Sequence, residues 1–401
     1  MIDRVVESLR SARAYMRLSP AAKRERKIDL RIGLDVSDPG IQPTVSAALA
    51  WLCRAQDRSS TRDGGVARHF SLRDGWSSSY PETTGYIVPT MLDCAAAFGD
   101  PTLRQRARRM LDWLVKIQLR CGGFQGGQVD ATPVAPVTFN TGQILLGLAA
   151  GARDFGEPYT TAMRRAADWL VATQESDGCW RRYPSPFVAP GEKAYDSHTS
   201  WGLLEAARVD PNRGYAESAL KNVRWALTNQ RYNGWVAQCD LSDDDPPLTH
   251  TLGYFLRGVL EAYRFSGEAD LLTRAKSTAD GLRGVLRPDG SLPGRLRSDW
   301  SPAVTSVCLT GSVQVAHCWL LLYQFLGDTR YDEAGIAANR FVRRCVRVHG
   351  DADTRGAVKG SFPISGDYNP YEYLNWAAKF FIDSQLLERE LSAPTAQAVR
   401  A

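Results

Sequence analysis

Apolar residues recur at helical spacing along almost the whole chain, and two kinds of helix alternate. One kind is apolar nearly all round, as in Ile144-Leu145-Leu146-Gly147-Leu148 or Cys318-Trp319-Leu320-Leu321-Leu322-Tyr323. The other is amphipathic with a basic face, as in Arg104-Gln105-Arg106-Ala107-Arg108-Arg109. A helix apolar on every side is buried, and a half-polar one is external. The pattern predicts pairs over residues 82–98 and 102–118, 140–155 and 159–174, 197–209 and 215–230, 250–265 and 269–285, and 305–325 and 331–346. Gly99-Asp100-Pro101, Gly156-Glu157-Pro158, Asp210-Pro211-Asn212, Ser266-Gly267-Glu268 and Gly327-Asp328 supply the stop and start signals within pairs. An external helix at 44–56 and a buried one at 371–390 are left without sequence partners and are expected to meet. Strand-like alternation is scarce.

Each external helix runs into the same phrase. Trp169-Leu170 leads to Gln174 and Asp177-Gly178-Cys179-Trp180; Trp113-Leu114 leads to Gln118 and Gly122-Gly123-Phe124; Trp225-Ala226 leads to Gln230 and Asn233-Gly234-Trp235. A weaker copy ends at Asp289-Gly290-Ser291-Leu292. The glycines keep one period: 178−122 = 56, 234−178 = 56 and 290−234 = 56. A fixed period of this kind marks repeated supersecondary units. The glycine is expected to take a positive φ at the helix end, the glutamine to satisfy free backbone groups there, and the aromatic to pack under the next repeat.

The helical aromatic, the Gln and the Gly-x-Trp or Gly-Phe of this phrase resemble the QW motif of the terpenoid cyclase and protein prenyltransferase toroids. The resemblance spans residues 44–390. It implies an all-α fold, an (α/α)6 toroid of inner and outer helices. On that reading residues 1–42 form an N-terminal helical arm, 43–392 the toroid and 393–401 a disordered tail. Function does not follow from fold. The cyclases use Asp-x-Asp-Asp; here the nearest acids are Asp240 and Asp243-Asp244-Asp245 in a loop. The prenyltransferases hold zinc through Asp, Cys and His, and Cys239-Asp240 reverses that order.

The 401 residues are 44% hydrophobic and 23% charged, enough for a large core. The net charge of +5 is dispersed, and Lys23-Arg24-Glu25-Arg26-Lys27 is short and interrupted, so no nucleic-acid partner is expected. The eight cysteines form no Cys-x-x-Cys pair and read as buried thiols in a reducing compartment. No signal-peptide pattern opens the sequence and no run is long enough to span a membrane, which predicts a cytoplasmic protein without a membrane span. No phosphate loop, nicotinamide fingerprint or His-Glu-x-x-His pattern is present; neither cofactor nor metal is expected.

Candidate chemistry gathers where the inner helices begin, which in a toroid is one rim of the cavity. There stand Tyr80, Glu82 and Tyr86; Asn140 and Gln143; Asp196, His198 and Trp201; His250 and Tyr254; and Asn375, Trp376 and Lys379. Asn140, His198 and Tyr254 lie 18, 20 and 20 residues beyond Gly122, Gly178 and Gly234. Each also has a plain structural reading: Asn140 as a helix cap, Glu82 as a first-turn acid after Pro81, Tyr254 as core. Together they offer many hydrogen-bonding groups and a few stacking faces, which suits a sugar better than a carbocation. Helix N-termini add attraction for an anion.

In residue type this lining resembles that of toroid polysaccharide lyases and uronate epimerases. The resemblance implies Asn140 holding a uronate carboxylate while His198, His250 and Tyr254 move the C5 proton. Tyr-Pro-Glu-Thr-Thr-Gly-Tyr and Asn-Trp-Ala-Ala-Lys-Phe-Phe resemble toroid proteins associated with bacterial surface or exported polysaccharides. The expected enzyme is thus a lyase or epimerase acting on an acidic poly- or oligosaccharide. The alternatives are an inverting glycoside hydrolase using Glu82 and Asp196, a terpene-cyclase-like enzyme, and a non-catalytic glycan-binding toroid.

Overall fold

The computed structural model describes residues 15–242 and 246–393. Thirteen α-helices carry the chain among these residues. Helix α1 (Pro20–Arg31) precedes the ring, capped by Ser19 on the amide of Ala22. The outer helices are α2 (Ile41–Asp57), α4 (Pro101–Ile117), α6 (Tyr159–Thr173), α8 (Tyr215–Leu227), α10 (Ala269–Gly284) and α12 (Thr329–Cys345). The inner helices are α3 (Pro81–Phe98), α5 (Thr138–Phe155), α7 (Ser197–Val209), α9 (Thr249–Ser266), α11 (Leu309–Leu326) and α13 (Asn375–Leu391). Each inner helix packs on the next, and α13 returns to α3, closing a ring of six. The two helices without sequence partners do meet: α13 packs on α2. The fold is the expected (α/α)6 toroid.

The repeat phrase joins neighbouring repeats rather than capping its own helix. Gln174 Nε2 donates to the carbonyls of Gly178 at 3.1 Å and Ser218, on the next outer helix, at 2.9 Å. Gln118 does the same to Gly122 and Ala162, and Gln56 to Gly64 and Arg106. The ladder glycine is obligatory for two reasons. At Gly234 φ is +84°, and a Cβ would lie 2.3 Å from the Ser277 carbonyl oxygen of the next outer helix. Such a backbone approach leaves no room for any side chain. Trp180 turns back on its own helix, donating to Leu170 O at 2.9 Å.

Inner helices touch backbone to backbone near their N-termini. A Cβ at Gly147 would lie 2.2 Å from Gly85 O. This tight packing narrows the ring axis.

The structure differs from the sequence reading at several ends. The last inner helix starts at Asn375, not 371, because Glu372–Leu374 (β5) pairs with His69–Ser71 (β1), which also pairs with Gly75–Trp76 (β2). Likewise α11 starts at Leu309, because Val307–Cys308 (β3) pairs with Ser361–Phe362 (β4). Strands of two or three residues are too short to show alternation in sequence. The acids Asp243 to Asp245 and residues 394–401 of the expected tail lie outside the described residues, as do residues 1–14 of the arm.

Candidate active site

The loops leading into the inner helices enclose a cavity of about 240 Å³. Tyr80, Glu82, Tyr86, Asn140, Asp196, His250, Tyr254 and Trp376 line it. Eight of the thirteen residues singled out from the sequence therefore share one wall.

Glu82 follows Pro81 in the first turn of α3 and accepts a hydrogen bond from Tyr80 Oη at 2.8 Å. Burial pushes its carboxyl up to about 7, against the opposing pull of Tyr80 and Arg68. Asp196 stands just ahead of α7 and caps no helical amide. Burial pushes it up to about 8, with Lys193 opposing. Desolvation disfavours the charged carboxylate, so both groups hold protons far above the ordinary carboxylate range.

Tyr254 stands between the two histidines, its ring centroid 4.5 Å from His198 and 4.4 Å from His250. Only His250 reaches the cavity. Its Nδ1 lies 2.6 Å from Gln314 Oε1, an acceptor, so Nδ1 carries the proton and Nε2 keeps its lone pair. Burial lowers His250 to about 4, leaving it neutral at physiological pH. Asn140 lies inside α5, which begins at Thr138, and so is not the helix cap; its Nδ2 has no partner among the described residues.

The other five expected site residues lie elsewhere. His198 is buried beneath Tyr254, with Nδ1 2.6 Å from Gln143 Oε1. Both are sealed from the cavity, because the backbones of α5 and α7 meet closely at this level. Asn375 is spent on structure: its Nδ2 donates to Ala67 O and Thr83 Oγ1. Trp201 and Lys379 open instead to a cavity on the opposite face of the ring. They sit one helical turn further along α7 and α13 than the rim, enough to change face.

The sequence reading missed Arg68, Lys193, Tyr368 and Asn369, all on loops, Tyr195 in the 3-10 turn Ala194–Asp196, and the segment 183–191, which walls one side. Arg68 stacks on Trp376 at 5.0 Å and pairs with Glu372 at 3.0 Å. Tyr195, immediately before Asp196, was the nearest to a legible signal. The wall is also more aromatic than expected: Phe139, Trp180, Tyr183, Phe187 and Tyr195 join Tyr80, Tyr86, Tyr254, Tyr368 and Trp376. Among the described residues no cluster of His, Cys, Asp or Glu suits a metal ion. No described helix is long and apolar enough to cross a membrane.

The family model for the squalene-hopene cyclase C-terminal domain matches residues 80–256. No curated protein sequence matches the chain. Among solved structures, the unsaturated glucuronyl hydrolase of Bacillus sp. GL1 superposes with a TM-score of 0.69 at 17% identity, over 88% of this chain and 98% of that one. A D-mannose isomerase superposes with a TM-score of 0.70 at 10% identity, over 87% and 97%. The cellobiose 2-epimerase of Bacillus thermoamylovorans gives 0.68 at 10% identity, over 87% and 98%. The shared fold is the α/α toroid. Identities this low speak for architecture alone, and the chemistry rests on the residues of the cavity.

Proposed function

We propose that this chain is a carbohydrate-active enzyme that takes one terminal sugar residue of an acidic oligosaccharide into the cavity and cleaves its glycosidic bond. The observation that carries the reading is the presence of two buried carboxyls, Glu82 and Asp196, with proton affinities raised to different degrees in one aromatic-walled cavity. Two titratable groups held apart in this way divide into acid and base. Asp196, at about 8, donates its proton to the glycosidic oxygen as the bond to the anomeric carbon breaks. Glu82, at about 7, takes a proton from the attacking water. Aromatic faces stack on the sugar ring, and Arg68 with the helix N-termini favours a carboxylated sugar. The unsaturated glucuronyl hydrolases of the same architecture, one of them solved with dGlcA-GalNAc6S, support this choice of ligand.

The hydrolytic reading displaces proton abstraction at C5 from first place because His198 is cut off from the cavity. His250 and Tyr254 remain able to move a proton, which keeps lyase or epimerase chemistry as the variant to separate. Incubation with a panel of uronate-terminated oligosaccharides tests both. New reducing ends without absorbance near ~230 nm are the expected result. An unsaturated product, or solvent deuterium at C5 in the recovered sugar, would transfer the chemistry to His250 and Tyr254.

The aromatic wall and the family match favour one second reading, protonation of an alkene by Asp196 followed by cyclisation. The chain lacks Asp-x-Asp-Asp, and the cavity keeps Asn140, His250 and Arg68 among its aromatics. Turnover of squalene or a prenyl diphosphate, with none of any sugar, would select this reading.

A further inference from the structure

The opposite face of the ring holds a second and larger cavity, of about 1190 Å³, between the C-terminal halves of all six inner helices. The aromatic rings of Tyr86, Tyr254 and Phe380 pack together with His198 between the two cavities. Helix C-termini carry partial negative charge, which accounts for Arg153, Arg208, Arg264 and Arg389 in the last turns around the rim. It does not account for Arg257 and Lys379. These lie two or more turns before their helix ends, and their side chains are only 13% and 2% exposed.

Both cations are held in place but incompletely satisfied. Arg257 stacks on the Trp201 ring at 4.2 Å and gives only its Nε to Glu261, at 2.8 Å. Its two Nη groups donate no hydrogen bond to the described residues. Lys379 Nζ donates one hydrogen bond, to Asp383 at 2.6 Å, and otherwise lies over the rings of Phe380 at 4.5 Å and Tyr86 at 5.4 Å, which leaves it room to donate to an oxyanion. His317 faces the same cavity with a buried, unpartnered Nδ1. Burial depresses His317 and His198, and the nearby charges of Arg257 and Lys379 add to it. The acids of the cavity offset only part of this charge. Asp383 and Glu205 pair with Lys379 and Arg153, burial pushes Asp93 up to about 6, and Glu390 is exposed, so no acid among them pairs with the Nη groups of Arg257.

We infer that this second cavity is a binding site for a small organic anion, a carboxylate or phosphate ester, whose oxyanion accepts from the Nη groups of Arg257 and from Nζ of Lys379. A planar guanidinium fork beside an ammonium, both preset by packing, is the arrangement that recognises an oxyanion. The volume admits a sugar-sized body as well as the charged group. Trp201 touches His198 at 5.1 Å and His198 touches Tyr254, so the ligand would sit two side chains from the other cavity.

Calorimetric titration of the full chain tests the inference, with inorganic phosphate, glucose 1-phosphate and glucuronate as probes and glucose as the neutral control. Saturable binding of at least one anion is expected, weakened at least tenfold by Arg257→Gln, and binding of inorganic phosphate is expected to be one-to-one. A response to phosphates alone, or a glucuronate response that Arg257→Gln weakens tenfold, supports the site and identifies its anion. Absence of saturable anion binding overturns the proposal. So does binding that survives Arg257→Gln but is lost in Glu82→Gln, which would place the ligand in the first cavity. Should Arg257→Gln fail to fold, Arg264→Glu at the exposed rim serves instead: a tenfold weakening supports the site, and an unchanged affinity overturns it. The result is independent of the chemistry proposed for the first cavity.

Discussion

Gln314 Oε1 lies 2.6 Å from Nδ1 of His250, and this hydrogen bond fixes which imidazole nitrogen faces the cavity. Gln143 holds His198 in the same way at 2.6 Å, one pair of helices earlier. The two glutamine–histidine pairs reach opposite ways round the ring, Gln143 lying on the inner helix before His198 and Gln314 on the one after His250, and only His250 opens to the cavity.

This asymmetry makes a direct prediction. His250→Ala should lower kcat if His250 moves a proton, by about 10²–10⁴-fold for a general base, whereas His198→Ala should act through packing and leave the pH profile unchanged. Steady-state kinetics of both variants, with circular dichroism to verify the fold, make the comparison. Equal losses of kcat with equal changes of pH profile would contradict it.

The pH dependence follows from the two carboxyls. Below about 7 Glu82 is protonated and unable to act as base. Above about 8 Asp196 has lost the proton it must donate. The expected kcat/KM profile is a narrow bell with limbs near these values. Glu82→Gln should remove the acidic limb along with most of the activity, and Asp196→Asn the basic one.

Asp196 should also cost stability, and the sign can be stated. Its folded-state pKa, about 8, is raised above the ordinary 3.8, so the folded state binds the extra proton between these values and stability falls as pH rises through that window. His250 acts in the opposite window: with a folded-state pKa of about 4 against 6.5, stability falls as pH drops below about 6.5. Asp196→Asn should therefore raise the unfolding midpoint at pH 8 more than at pH 5. A gain of equal size at both would mean that burial of the charge is not the cause.

The repeat glycines differ in what they tolerate. At Gly234 both the positive φ and the Ser277 carbonyl oppose a side chain, and Gly234→Ala should cost about 3 kcal/mol or more, combining strain and displaced packing. Gly267, with φ +72° and open space around its Cβ position, should cost only about 1 kcal/mol as Ala. Urea unfolding of the two variants gives the comparison.

A buried ion cluster fastens α1 to the ring. Lys359 Nζ lies 2.6 Å from Glu25 and 2.5 Å from Asp29, with Lys359 and both acids nearly inaccessible. Lys359→Met leaves these carboxylates without that cation and should destabilise by about 3–5 kcal/mol. Adding Asp29→Asn and Glu25→Gln should recover much of the loss. Stability measured by denaturant, and protease sensitivity near residues 20–31, provide the check.

The alternation of all-apolar and amphipathic helices, the breakers between them and the period of 56 residues were enough, without coordinates, to determine a closed ring of six helix pairs. These are local and periodic properties, and each repeat must bury its inner helix against the next. The same register brought Glu82, Asn140, Asp196, His250 and Tyr254 to one rim. Tertiary structure decided what periodicity cannot express. Whether a side chain at the rim or one turn beyond it faces the first cavity, the floor or the second cavity depends on how closely neighbouring backbones meet, and this separates His250 from His198, each the second residue of its helix, and turns Trp201 and Lys379 to the other face. The loop residues Arg68 and Tyr368 follow no helical period, and the proton affinities of Glu82 and Asp196 arise from burial that only the assembled ring creates.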